Sequence, residues 1–340
     1  MITIHFPAEW HMQDMVQLTW PHKQTDFAYV YNDAVTCFCT IAREISKRQK
    51  LLIICKNKTE VQQQLGEILN TSIFFFECDS NDVWARDHGP ITVYHNSMPV
   101  LYDFAFNGWG KKFAYDKDTV ITEKLCNSMF FTHAVRQDYS QFVLEGGSIE
   151  SNGIGVLLTT EACLLSKQRN PHLQKSAIET FLKDIFGAHT VLWLKHGFLQ
   201  GDDTDSHIDT LARFVDEHTI CYVQCTDEND LHYNELRAME HELQSFVTEI
   251  GEPYHLVPLP MVPPQYDEDG ERLPATYANF LILNNAVLLP IYNCKTDDEA
   301  IRIMQTLFPT REIVPIDCRV LIKQHGSLHC VTMQYPKGVL

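Results

Sequence analysis

The stretch GDDTDSHID at 201–209 packs four aspartates and one histidine into nine positions, with no lysine or arginine among them. Carboxylates so close repel one another, and their charge calls for a partner: a metal, solvent or a cationic ligand. Asp203, Asp205 and His207 fall at the first, third and fifth places of a calcium loop. However, Ile208 stands where the sharp turn needs glycine, and Phe214 where a bidentate glutamate belongs. The chain has no HExxH and no second histidine at ligand spacing, so no metal site is expected. The pair His207-x-Asp209 carries more. In an extended segment residues i and i+2 share a face, so imidazole and carboxylate would project together. The carboxylate would orient the ring and favour its protonated form. The alternation in the following LARFV supports extended backbone. Surface pairs of this kind are common, and the pair alone decides nothing.

Three further clusters hold reactive residue types. WARDHGP (84–90) places Arg86 and Asp87 ahead of a Gly-Pro turn, where functional loops often begin; a structural Arg–Asp pair plugged by Trp84 is the plainer reading. LEGGSIESNGIG (144–155) sets Glu145 against two glycines that let backbone pass close to a ligand, though it also reads as a hairpin turn. It lacks the GxGxxG spacing of a nucleotide site. HGSLHC (325–330) puts Cys330 at a loop–strand junction, where a thiol becomes a nucleophile once its thiolate is stabilised. Most free cysteines are instead inert core residues. Together these are carboxylates, one histidine and one thiol, without a basic residue to bind an anion. Paired carboxylates suit a planar guanidinium with its fork of N–H donors. The missing counter-charge of GDDTDSHID would then be the substrate, a small cationic guanidine.

The elements that must hold these residues follow from periodicity. Runs at 50–55, 72–78, 91–94, 99–104, 155–159, 190–194, 211–215, 219–224, 280–283, 286–291 and 330–335 read as strands. Helices are expected around 58–69, 117–129, 174–186, 230–249 and 296–307. The Pro-rich acidic segment 258–274 reads as a surface loop over a site. No linker or low-complexity tract divides the chain, so one α/β domain over 1–340 is expected. Charge points the same way as the clusters. The 27 Lys and Arg stand against 44 Asp and Glu, a net charge of −17 that disfavours nucleic acid or anionic lipid as partner. Eleven unpatterned cysteines argue against a disulfide framework and for a reducing compartment. The start, MITIHFPAEW, has no basic leader, and the longest apolar runs are too short to span a bilayer. A cytoplasmic protein is expected, with self-association left open.

In their order, PAEW, WPH, WARDHGP, FNGWGKKF, LEGGSIESNGIG, TTEACLLSKQRNP, GDDTDSHID, ATYANFLILNNAVLLPIY and GSLHC resemble the agmatine deiminases, a branch of the guanidine-modifying enzymes. That group includes the arginine and peptidylarginine deiminases, and the resemblance runs from residue 7 to 336. It implies a five-bladed, pseudo-symmetric α/β propeller of the pentein type, built from ββαβ units with the site at its centre. It also implies Cys330 as nucleophile, His207 as general acid and base, and Glu145 holding His207. Asp87 and Asp209 would grip the guanidinium and Trp84 line the entrance, with no metal and no cofactor. At least one of Asp202, Asp203 and Asp205, with Asp203 named as the candidate, would meet the substrate's primary ammonium, because the acidic loop suits agmatine better than arginine. Three departures stand out: Gln324 and His325 replace glycines usual before the cysteine, Ser206 replaces the glycine before the histidine, and Thr210 replaces the asparagine after Asp209. A deiminase of free or peptide-bound arginine, and a catalytically idle guanidine or polyamine binder, are the alternatives.

Overall fold

The computed structural model describes residues 2–340. Its sheets repeat one connection: two strands pair antiparallel, the chain passes through a helix, and a third strand returns parallel to the second. Thus Ile91–His95 pairs with Met98–Ala105, and Val135–Val143 returns parallel to it after the helix Ile121–Asn127. The same steps build Ile149–Ser151 with Val156–Thr160 and Thr190–Leu194. They build Ala212–Phe214 with Thr219–Gln224 and His255–Pro260, and again Leu281–Ile282 with Ala286–Ile291 and Glu312–Asp317. In another sheet the two ends of the chain meet. Thr332–Pro336 lies antiparallel to Gln13–Thr19, which runs parallel to Lys50–Cys55, itself parallel to Ile73–Glu77. A ribbon, Gln265–Tyr266 with Arg272–Leu273, stands apart. The chain is an α/β fold with mixed sheets.

Local chemistry accounts for these elements. In Lys50–Cys55 every residue after Lys50 is buried, so the strand reads as a continuous apolar run rather than an alternation. Lys175–Phe186 turns Ile178, Leu182, Ile185 and Phe186 inward and stops at Gly187, whose φ of 65° is the left-handed cap that glycine favours.

Most expected elements are present within a few residues, and the differences have causes. The helix Tyr31–Ser46 is absent from the expectation, because its Thr and Cys content masks the stripe of Ala34, Phe38, Ile41 and Ile45. Gln13–Thr19 is a further addition. So are His255–Pro260 and Glu312–Asp317, both sheet edges, where proline is tolerated because no ladder N–H is needed. The segment 258–274 is therefore not simply a loop: it begins inside an edge strand and contains the ribbon. None of its residues lines the cleft described next.

Candidate active site

A narrow cleft opens among Trp84, Asp87, Trp109, Asp203, His325 and Cys330. Asp87 sits in the one-turn helix Ala85–His88, which is tied to the nucleophile segment by Arg86 N–H donating to the Cys330 carbonyl at 3.1 Å. Its carboxylate accepts from Trp109 Nε1 at 2.9 Å and from the Gly147 amide at 3.1 Å. Gly147 marks where the chemistry converges. A Cβ there would lie 2.7 Å from His207 Nδ1, 2.9 Å from Asp87 Oδ1 and 3.0 Å from Asp209 Oδ2, so any side chain would collide with all three. The second glycine constraint is Gly326, where a Cβ would run into the Trp84 ring. Trp84 thus presses directly on the loop that presents Cys330.

His207 and Asp209 converge differently from the expectation. The segment is not extended: Ile208–Thr210 is a turn of 3₁₀ helix that begins after His207. The preceding loop is tied down by Asp202, which accepts from the amides of Thr204 and Ser206 and from the Thr204 hydroxyl. Thr204 Oγ1 in turn accepts from the His207 amide at 3.0 Å. Asp205 and Ser206 both have φ of 65°, the conformation that the usual glycine would adopt without strain.

The acidic loop also finds its counter-charge partly within the protein. Asp205 pairs with Lys112 at 2.7 Å and with buried Arg169 at 2.6 Å. Arg169 Nε also donates to both oxygens of Glu145, at 2.9 and 3.0 Å. Glu145 therefore does not hold His207 by a hydrogen bond. It lies within 4.8 Å of the ring, as does the Cys163 thiol, and the carboxylate that faces His207 Nδ1 is Asp87, at 3.6 Å. Of Asp202, Asp203 and Asp205, only Asp203 lines the cleft, 3.9 Å from His325 Nδ1. His325, with φ of 65°, is fixed by its Nδ1 donating to the Gly201 carbonyl at 2.8 Å.

Electrostatics single out the same groups. Burial opposes the charge on His207, yet Asp87, Cys163 and Glu145 together push its pKa up to about 10. Burial pushes Asp87 up to about 6, against the pull of His207, with Asp209 and Glu145 adding to the rise. Burial, Asp209 and Asp87 drive the Cys330 thiol well above its ordinary range; its Sγ donates to Asn279 Oδ1 at 3.3 Å. Asp209 is held below the usual carboxylate range despite burial, by His329, His207 and Arg213. Its Oδ2 meets His329 Nδ1 at 2.7 Å, while its Oδ1 is buried without a partner among the described residues. The arrangement holds two fixed carboxylates, a thiol and a charged imidazole around one gap, and it is short of a cation.

The chain contributes residues to which sequence reasoning gives no role. Trp109 holds Asp87, Asn279 holds the thiol, and Arg169 holds Glu145. Glu145, Cys163 and His207 could geometrically ligate a metal, and so could Glu9, Glu150 and His329. In both groups an arginine guanidinium, Arg169 or Arg213, already supplies the carboxylates with a cation.

Comparison with known proteins agrees with the geometry. The model of the Porphyromonas-type peptidyl-arginine deiminase family matches residues 5–336. A Marinomonas protein provisionally assigned as an agmatine deiminase is 32% identical, with 97% of this chain and 94% of the relative covered. Among solved structures, a Porphyromonas gingivalis protein provisionally assigned as an arginine deiminase is 50% identical with a TM-score of 0.95, covering 99% of both chains. A cysteine-to-serine variant of the C. jejuni agmatine deiminase with substrate bound is 38% identical with a TM-score of 0.92, covering 100% of this chain and 98% of that one. A dimethylarginine dimethylaminohydrolase, at 10% identity and a TM-score of 0.51, shares the fold alone. Family model, curated relatives and solved structures agree: the chain belongs to the Porphyromonas-type peptidyl-arginine deiminase family, among relatives that include agmatine deiminases.

Proposed function

We propose that this chain hydrolyses agmatine to N-carbamoylputrescine and ammonia through a covalent adduct on Cys330. The observation that carries the reading is the unfilled charge around Gly147. Asp87 and Asp209 are buried carboxylates, Asp209 Oδ1 has no partner among the described residues, and both push the Cys330 thiol up. A guanidinium between them would satisfy the carboxylates and cancel the field that keeps the thiol protonated.

The steps follow from those positions. Asp87 and Asp209 fix the guanidinium plane, and such positioning can supply ~7–11 kcal/mol of barrier reduction. As the guanidinium enters, Cys330 gives its proton up to solvent, and the thiolate attacks the central carbon: a C–S bond forms while the C=N π pair moves onto nitrogen. His207, charged in the resting site, gives its proton to the departing nitrogen; ammonia leaves and an amidino-thioether remains. The now neutral imidazole takes a proton from water, whose oxygen attacks the same carbon. The C–S bond breaks, releasing the urea product. Glu145, braced by Arg169, keeps negative potential beside the ring.

Agmatine is favoured over arginine because the cleft lining, among the described residues, includes Asp203 and Asp26 and no lysine or arginine, so arginine's carboxylate has no partner. The bases nearest the loop are committed to Asp205. The named Porphyromonas gingivalis relative gives arginine a claim as the second substrate. A colorimetric assay of the urea product across agmatine, arginine and a blocked arginine peptide tests the choice. kcat/KM for agmatine is expected to exceed that for arginine by at least ~100-fold, about 2.7 kcal/mol. Equal rates on arginine, or faster ones on the peptide, overturn it. The repeated strand–strand–helix–strand connection supports a five-bladed propeller as a single catalytic domain. Eleven free cysteines support a reducing, cytoplasmic setting, where the product would feed putrescine and polyamine synthesis.

A further inference from the structure

Behind the catalytic wall lies a second, small pocket, with room for about one water molecule, that shares no lining residue with the cleft among the described residues. The two are separated by a single layer of chain. Asp87 and Cys330 line the cleft and Gly147 packs against Asp87, while the residues just before them, Arg86, Gly146 and His329, line the chamber. Three buried polar atoms in that lining have no partner among the described residues: Arg86 Nη2, Thr92 Oγ1 and Gln334 Oε1. Orphan donors and acceptors gathered around one space are the usual setting of ordered water.

One side chain crosses the wall. His329 is 2% exposed; its Nδ1 stands 2.7 Å from Asp209 Oδ2 on the cleft side, and its Nε2 stands 2.7 Å from Glu9 Oε2 on the chamber side. A neutral imidazole has one N–H, so one of these contacts would oppose two lone pairs at hydrogen-bond distance. Both contacts are satisfied only when the assembly carries a second proton. Burial, Arg213 and Arg86 pull the ring's pKa down, while Glu9 and Asp209 oppose them. Both carboxyls are themselves held below their ordinary range, which leaves the ring between them as the place for that proton. Glu9 is in turn fixed by Arg213 Nη2 at 2.8 Å and by the Ile282 amide at 2.7 Å. The other charged groups facing His329 are Arg86, 3.8 Å from Glu9, and Glu150, paired with Arg213.

Resting on the deiminase reading, we propose that His329 is a positioning residue: an imidazolium clamped between Glu9 and Asp209 that keeps Asp209 ionised and its free Oδ1 aimed at the guanidinium. Glu9 thereby tunes substrate affinity from the far side of the wall without touching substrate. The charge is local, because Arg213 and Arg86 together already balance Glu9 and Glu150. Removing the second proton would let Asp209 swing or protonate, and the cleft would lose one of its two acceptors.

Neutron diffraction of the ligand-free chain at neutral pH reads the ring protons directly. Deuterium on both Nδ1 and Nε2 of His329, with Glu9 and Asp209 bare, is expected. A singly protonated ring overturns the proposal, whatever the chain's activity. Glu9→Gln supplies the kinetic arm, since it preserves shape while removing the charge that holds the second proton. Its KM for agmatine is expected to rise at least ~tenfold, the equivalent of one pKa unit, with kcat within about threefold of the parent. A folded variant with unchanged KM also overturns the proposal. Should that variant not fold, the neutron result on the unsubstituted chain decides alone. Absence of agmatine turnover in the unsubstituted chain counts against the proposed function instead, and leaves the ring's charge to be judged on its own.

Discussion

Asp87 and Cys330 face a cleft, and the residues just before them, Arg86 and His329, face the chamber behind. On the rear side opposite charges meet closely: Arg213 joins Glu9 and Glu150, and His329 bridges two carboxylates. On the front side charge is left over. Asp209 Oδ1 has no partner among the described residues, and Asp87 is pushed up to about 6 by burial that its neighbours do not fully offset. Buried charges without close partners destabilise a fold, so a site that keeps them costs stability in return for affinity toward the missing cation. The difference between the faces is therefore one of charge. The rear carboxylates meet cations of the chain, although Arg86 Nη2, Thr92 Oγ1 and Gln334 Oε1 make no hydrogen bond among the described residues. The front carboxylates are left for substrate.

The most severe way to break that contrast is to remove the nucleophile. Cys330→Ala should lower turnover by at least ~10⁴-fold, about 5.5 kcal/mol, while the thermal melt stays near that of the parent. Acid-quenched parent enzyme should carry the mass of an amidino adduct on the peptide containing Cys330. Ordinary turnover by the alanine chain would sink the covalent route. On the rear side, Arg213→Met leaves Glu9 and Glu150 without their cation. Chemical denaturation should show a loss of ~3–5 kcal/mol, as for other broken buried pairs. A loss under about 1 kcal/mol would mean that the rear face is not the stabilising one.

Front-side carboxylates should behave in the opposite sense. Asp87→Asn and Asp209→Asn each place an amide donor against the guanidinium, and kcat/KM for agmatine should fall by ~2–5 kcal/mol in transition-state stabilisation. Asp87→Asn should leave the melting temperature unchanged or higher, because it removes a charge that burial disfavours. Near-native kcat/KM in both variants would show that these aspartates are not the clamp. The smallest effect is on pH dependence. Asp87 titrates near 6 in the empty site, above its ordinary value, so protonation on descending pH removes one acceptor. Then kcat/KM should fall about tenfold per unit below pH ~6. The sign for stability is reversed: a carboxyl with a raised folded pKa costs stability above that value, and the cost lifts as pH falls through it. A profile flat to pH 5 would remove Asp87 from the binding role.

How much of this was legible depended on the range of the interaction. Asp87, His207 and Asp209, found by residue type and spacing, do surround one point at Gly147, although the extended geometry expected for His207-x-Asp209 is a 3₁₀ turn. Residue type says which side chains can do chemistry; it does not say which distant partner claims them. Arg169 is far from both Glu145 and Asp205 in sequence, yet it takes the hydrogen bonds of one and the charge of the other. The role of His329 was hidden for the same reason: its partners Glu9 and Asp209 lie in remote segments. The helix Tyr31–Ser46 is a different kind of miss: its buried positions 34, 38, 41 and 45 keep a helical period, but Thr36, Cys37, Cys39 and Thr40 between them mask it.

The pairing of Thr332–Pro336 with Gln13–Thr19 bears on how the enzyme comes into being on the ribosome. Leu18 waits opposite Thr332 while all the sequence between them is made, so its sheet stays open at one edge until that strand emerges. Pairing across so much sequence makes closure of this sheet a slow, non-local step. Cys330 precedes the closing strand by two residues, so its thiol travels in solvent until that strand docks. The reactive centre is thus assembled after the sheets that precede it in sequence, and oxidants during synthesis would find this sulfur before burial shields it.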